Sequence, residues 1–353
     1  FGGVQGDAYD LNDAGDVVGY VSDAQNIRQP FKWSSSVGMS PLPLLPGGTG
    51  GQAFGVNDQG WVVGTSENTE GYWNATLWRP GQAPEDLGDL PGFTQSFATG
   101  VNDAGQVVGE ARRLVSNDWE RRAFLWTAGD GMTDLGSVGG TATGPEDIND
   151  DGRIVGHSEL AGGAVHAFTC TGPDDMTDIY PDLPSRDYTA NGINASGAVV
   201  GQAEKQNGQK VPALWPDGHG EPLLADIPYG WAEDISDTGL IVGRYCLTNT
   251  LTIPYGFVWD GAAGFETLPD LAGAQAGYSV AEAINDSGWI VGNSRNADGL
   301  SRPVLWVPEP TSLGLLAVGG LVALRRRTRY LAVDDKPSLR AWERRRLCRS
   351  VGP

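Results

Sequence analysis

One ten-residue block recurs seven times along the chain and limits its fold more than any other feature. It reads DLNDAGDVVG at 10–19, GVNDQGWVVG at 55–64, GVNDAGQVVG at 100–109 and DINDDGRIVG at 147–156. It returns as GINASGAVVG at 192–201, DISDTGLIVG at 234–243 and AINDSGWIVG at 283–292. The asparagine falls at 12, 57, 102, 149, 194 and 285, with Ser236 in the sixth copy, so the steps are 45, 45, 47, 45, 42 and 49 residues. A second block ends 21 to 24 residues after that position: FKW (31–33), TLW (76–78), FLW (124–126), FTC (168–170), ALW (213–215), FVW (257–259) and VLW (304–306). A looser third block follows, as in EDLGDL (85–90), MTDLGS (132–137) and FETLPD (265–270).

The residue types dictate local shape. Asn-Asp-x-Gly between apolar segments is turn chemistry: Asn and Asp bond their own backbone, and Gly takes the left-handed position of a type I turn with a bulge. The short β-branched V-V-G that follows is a strand, and so is the F-L-W segment with its alternating large residues. Gly-rich turns such as AGDG (128–131) lead to a fourth strand. Four short strands in 45 residues, with no helical period, predict one antiparallel sheet. A ring of seven such sheets is an all-β, seven-bladed propeller of four-stranded antiparallel blades. A β-helix is the runner-up, but its turns are shorter and carry no hairpin signal. The last copy ends at Trp306 without a fourth strand, and the chain opens on FGGVQGDAYDLND. The N-terminal closing strand is therefore expected to lie upstream of Phe1, where a signal peptide would also sit.

Composition sets the class of partner. Residues 1–306 hold 14 basic and 40 acidic residues, whereas 307–353 hold 10 and 4. A body that acidic disfavours nucleic acid and anionic lipid. The 52 glycines suit a chain that turns every few residues. Cys170, Cys246 and Cys348 are too few and too far apart for a disulfide framework. A single propeller of this kind is expected to be monomeric.

The block I-N-D-x-G-x-V-V-G followed by x-A-F-L-W resembles the bacterial extracellular HAF-repeat family over about residues 1–306, with the triplet itself at His166-Ala167-Phe168. That resemblance implies export and repeat architecture, and it brings no catalytic residues. Val307-Pro308-Glu309-Pro310, then an apolar run from Thr311 to Leu324, then Arg325-Arg326-Arg327, resembles the PEP-CTERM sorting signal of Gram-negative bacteria. The resemblance implies recognition of Pro308, Glu309 and Pro310 by an exosortase-type sorting protease. It also implies transient inner-membrane insertion of a short hydrophobic helix, with the Arg cluster as cytoplasmic stop. The run is short for a full span. The expected organisation is a propeller at 1–306, a sorting segment with a short transmembrane helix at 307–329, and a disordered basic extension at 330–353.

Within the propeller the repeated residues read as architecture. Asp10, Asn12 and Asp16 faintly resemble a calcium loop, but the ligand alternation and the distal Glu are missing, so structural turns are the preferred reading. The block Trp reads as core. His157, His166 and His219 sit at non-equivalent positions with no nucleophile motif. Loop length variation points instead to one rim, formed by the second turns and the blade-to-blade connectors. That rim carries Tyr72, Trp73, Trp119, Tyr188, Tyr229, Trp231 and Tyr278, and aromatic plates among carboxylates suit neutral or cationic saccharides. The expected function is a non-enzymatic binding or scaffold propeller, without cofactor, at the cell surface or in the extracellular polysaccharide matrix. The alternative is a polysaccharide-active enzyme, a glycosidase or lyase, that uses carboxylates at the channel mouth.

Overall fold

The computed structural model describes residues 4–308, apart from 183, 228, 249–252, 262–263 and 272–277, together with the strand at 328–332. It contains seven four-stranded antiparallel sheets, each a simple meander in chain order. We label the strands of each blade a to d. Strands a are Gln5–Leu11, Gly51–Val56, Gln95–Val101, Thr143–Ile148, Tyr188–Ile193, Tyr229–Ile235 and Ser279–Ile284. Strands b begin with the Val-Val-Gly or Ile-Val-Gly segment, strands c hold the F-L-W block, and strands d are short. The seven-bladed propeller expected from the repeat is therefore the fold.

Each Asn-Asp-x-Gly turn joins a to b. In the first copy the Gly15 amide donates to the Asn12 carbonyl at 2.9 Å, the Asn12 amide donates to the Asp16 carbonyl at 3.1 Å, and Gly15 sits at φ 77°. A one-residue bulge interrupts strand a three residues before the Asn position in every blade, at Tyr9, Phe54, Thr99, Glu146, Asn191, Glu233 and Glu282. The bulge brings the strand a backbone against the Gly that ends each V-V-G. A Cβ at Gly201 would overlap the Thr189 carbonyl oxygen, and Gly19, Gly64, Gly109, Gly156, Gly243 and Gly292 face the same obstruction. This contact explains why the block ends in Gly although the residue lies in a strand.

Apolar packing forms a wedge at each blade interface rather than one central core. Phe124 and Trp126 of blade three pack with Val63 and Leu77 of blade two. Phe31 and Trp33 of blade one pack with Val291 and Leu305 of blade seven, which closes the ring hydrophobically. The block tryptophans are buried, and Trp78 and Trp306 also donate their indole N–H to connector carbonyls, at Pro43 (2.6 Å) and Pro269 (2.9 Å). Their role as core matches the sequence reading. Full burial of such a side chain contributes roughly 1.5–3 kcal/mol. Cys170, which replaces one Trp, and Cys246 are free and buried.

Two expectations about the chain ends meet different outcomes. The fourth strand of blade seven, expected upstream of Phe1, is Thr328–Ala332, paired with strand c at Ser301–Pro308 so that Pro308 faces Thr328 and Val304 faces Ala332. Residues 330–332, assigned to a disordered extension, are thus in a strand, and 333–353 lie outside the described residues. The expected hydrophobic helix also lies outside them. Among the described residues no helix is long and apolar enough to cross a membrane.

The steric role of the strand b glycines is testable. Gly201→Ala should destabilise the fold by about 1–3 kcal/mol through overpacking. Gly162→Ala, where a Cβ meets nothing within 4 Å, should stay within about 0.5 kcal/mol of the parent. Urea unfolding of both variants checks the difference.

Candidate functional site

The seven strands a surround a central channel whose wall is layered. One mouth is formed by the turns themselves. Each Asn takes its own turn and the next blade together: Asn57 Oδ1 accepts the Trp61 amide at 2.9 Å, while its Nδ2 donates to the Asn102 carbonyl at 3.0 Å. The same link runs from Asn12 to Asn57, Asn102 to Asn149, Asn149 to Asn194, Asn194 to Ser236, and Asn285 to Asn12, at 2.9–3.2 Å. Only Ser236 lacks an amide to continue the ring. Outside this ring, the Asp13, Asp58, Asp103 and Asp286 amides donate to Asp58, Asp103, Asp150 and Asp13 carboxylates of the neighbouring blade at 2.8–3.0 Å. The sequence reading had Asp bonding its own backbone, but its carboxylate serves the adjacent blade.

The three residues of the faint calcium reading have partners of their own. Asp10 accepts the Val56 and Leu11 amides, Asn12 is part of the ring, and Asp16 pairs with Lys32 Nζ at 2.7 Å. All three side chains are held by protein groups. Among the described residues no cluster of three or more His, Cys, Asp or Glu could hold a metal.

Deeper in, Asp10, Asp147 and Asp234 each bridge to the next blade, accepting the Val56, Ile193 and Ile284 amides at 2.7–2.9 Å. Burial pushes all three above the usual carboxylate range, and Asp147 adds to the shift of Asp234, which reaches about 7. The following layer is built from the bulged residues. Tyr9 lies 5.3 Å from Phe54, ring to ring. Glu233 pairs with Arg244 at 3.0 Å and accepts the Asn191 amide at 3.2 Å. Glu146 contacts His157 at 3.1 Å. Desolvation and the neighbouring Glu233 raise Glu282 to about 8, against the opposing pull of Arg244 and the Asn293 amide. Carboxylates at this layer therefore come from blades four, six and seven only. Sequence reasoning missed this layer, although the signal was present: the residue three before the Asn position takes five different types across the seven copies.

The seven rim aromatics lie on the face opposite the Asn-Asp turns, spread over five blades. Tyr72 and Trp119 are exposed at 43% and 45%. Trp73, Tyr229, Trp231 and Tyr278 are half-buried, with Arg244 over Trp231 at 5.1 Å and Arg295 over Tyr278 at 3.7 Å. Tyr188 is buried. Length variation is not confined to this rim. The b–c loops are five residues long in five blades, and residues 112–121 form a hairpin that turns on Ser116 and Asn117, both left-handed at φ 52° and 69°. The c–d turns vary at least as much. Between blades four and five the same face holds a cleft of about 450 Å³, walled by Tyr180, Tyr188, Arg186, Glu204, Lys205 and Glu221 among others.

A family described as "PEP-CTERM protein-sorting motif" matches residues 307–327. The chain carries a PEP-CTERM sorting motif. Pro308 of the motif ends strand c of blade seven, while Glu309, Pro310 and Arg325–Arg327 lie outside the described residues. A PEP-CTERM protein is exported and directed to the cell surface, and the motif is a signal for an exosortase. A second family, "Protein of unknown function (DUF3466)", matches residues 49–213. No curated protein matches the chain in sequence. Among solved structures, a puromycin hydrolase mutant complexed with PGG is similar at 13% identity and TM-score 0.57, covering 84% of this chain and 51% of its own. The acylaminoacyl peptidase of Pyrococcus horikoshii is similar at 7% and 0.56, covering 86% and 51%. The chain thus spans about half the length of these two. At such identities the likeness is one of fold.

Channel chemistry makes stability pH-dependent. Glu282 has a raised folded-state pKa, so the stability it contributes is fully present below about 4.5 and is lost as pH rises through about 8. Thermal unfolding midpoints should fall across that window, and Glu282→Gln should flatten the fall. Identical pH profiles for the variant and the parent would contradict the assignment.

Proposed function

We propose that the protein is a non-enzymatic binding or scaffold propeller that meets extracellular polysaccharide at the cell surface, after sorting by an exosortase-type protease. The HAF-repeat resemblance belongs to this reading, as does membrane insertion of the apolar run before processing. The observation that carries it is the face opposite the Asn-Asp turns. There, exposed aromatic rings and an open cleft stand among polar groups, an arrangement that suits the apolar faces and hydroxyls of sugars. The repeated residues are already engaged in holding the ring together, so binding falls to the positions that differ between blades.

One observation favours a second reading, a polysaccharide-active enzyme. Glu282, whose proton affinity burial and Glu233 raise to about 8, sits within electrostatic reach of Glu233, which burial also raises and Arg244 ion-pairs, on a channel wall that also carries Tyr9 and Phe54. A carboxylic acid beside a carboxylate is the pairing that glycosidic cleavage uses.

Incubation of the purified protein with a polysaccharide panel separates the two. The binding reading expects retention on at least one polysaccharide with no new reducing ends. Release of reducing ends that Glu282→Gln abolishes would favour the enzyme, and silence on every polysaccharide would count against both.

A further inference from the structure

The cleft between blades four and five is built, not incidental. Behind its Tyr188 wall, His166 Nδ1 holds the Asp178 carboxylate at 2.6 Å, with the ring fully buried. The imidazole meets Tyr188 edge-on, with centroids 5.6 Å apart at 88°, and Tyr188 in turn meets Tyr180 at 5.4 Å and 80°. Three rings in sequence thus fix Tyr180, which keeps part of its surface, as a wall of the cleft. Arg186 lines the same cleft, close enough to Tyr188 to oppose the upward pull of burial on its hydroxyl.

Charge gives the cleft its chemistry. In this acidic chain most cations beside carboxylates are paired: Lys210 with Asp187 at 2.8 Å, Arg113 with Glu120 at 2.7 Å, Arg244 with Glu233 at 3.0 Å. Arg186 and Lys205 line one cleft and form no ion pair among the described residues. Neither carboxylate that shares the cleft, Glu204 or Glu221, forms an ion pair with them among the described residues. Glu204 accepts the Asp187 amide at 3.2 Å, and Glu221 is exposed. Asn207 accepts the Gln209 amide through Oδ1 at 3.0 Å.

We propose that this cleft binds a carboxylate-bearing saccharide unit: the carboxylate on Arg186 and Lys205, the sugar ring against Tyr180, and hydroxyls on Glu221 and Asn207. A guanidinium presents a planar fork to a carboxylate, and Lys adds a movable point charge. The acidic body repels a long polyanion, so the ligand is a short segment or a chain end. The proposal rests on the saccharide reading above and names its ligand class and its place.

The test is titration calorimetry of the full-length protein with hyaluronan tetrasaccharide, which carries glucuronate, and with uncharged chitotetraose. The charged tetrasaccharide should bind at least ten-fold more tightly, with affinity falling as salt is added. Arg186→Gln and Lys205→Gln should each weaken it about ten-fold and leave the unfolding midpoint unchanged, while Arg153→Gln, on the opposite face, should have no effect. Equal affinity for the two ligands, or unchanged binding by both cleft variants, overturns the proposal. If Trp119→Ala alone removes polysaccharide binding, the saccharide reading stands and this site does not. If no saccharide binds, both fail.

Discussion

The rest of the structure depends on the hydrogen bond that each turn asparagine extends to its neighbour. A propeller has no central element to hold its blades; each blade must be tied to the next. The buried Asn performs two tasks with one side chain, ordering its own hairpin through Oδ1 and capturing the next blade's carbonyl through Nδ2. The bond from Asn285 to Asn12 closes the circle with the same geometry as the other links. Together with the wedge of Phe31, Trp33, Val291 and Leu305, it joins blade seven to blade one. Since a buried donor or acceptor left without a partner costs about 1–3 kcal/mol, the motif tolerates little change.

The bulge preceding each Asn divides the inner strand into two functions. Its regular residues press on the strand b glycine and fix the interface. The extra residue escapes the ladder and lines the channel, so it is free to vary. Blade by blade it is Tyr, Phe, Thr, Glu, Asn, Glu and Glu. Chemistry therefore accumulates at a position that architecture leaves open, and the half-buried, desolvated carboxylates Asp10, Asp147 and Asp234 beneath it lend the channel its raised proton affinities.

How much of this the sequence disclosed follows from what is local. Turn chemistry, strand length and the buried Trp are set within a few residues, so blade, meander and core could be read directly. The partner of each Asp carboxylate could not, because it lies about 45 residues away across a blade interface. The packing of His166, Tyr188 and Tyr180 was equally hidden, since it joins strand c of one blade to a connector and to strand a of the next. Tyr188 was legible as an aromatic near the rim but not as a buried wall. The strand that completes blade seven was out of reach for another reason: nothing in Thr328–Ala332 repeats the pattern of the other blades.

The natural exception, Ser236, provides the most direct measurement. Ser236 still receives the Leu240 amide at 3.2 Å but has no amide to send to blade seven. Chemical unfolding of Asn57→Ala, Asn57→Ser and Ser236→Asn tests whether the amide ring holds the propeller together. The account predicts a loss of about 2–4 kcal/mol for Asn57→Ala, a smaller loss for Asn57→Ser, and a gain of about 1 kcal/mol for Ser236→Asn. Unfolding midpoints that do not move in any of the three would contradict it.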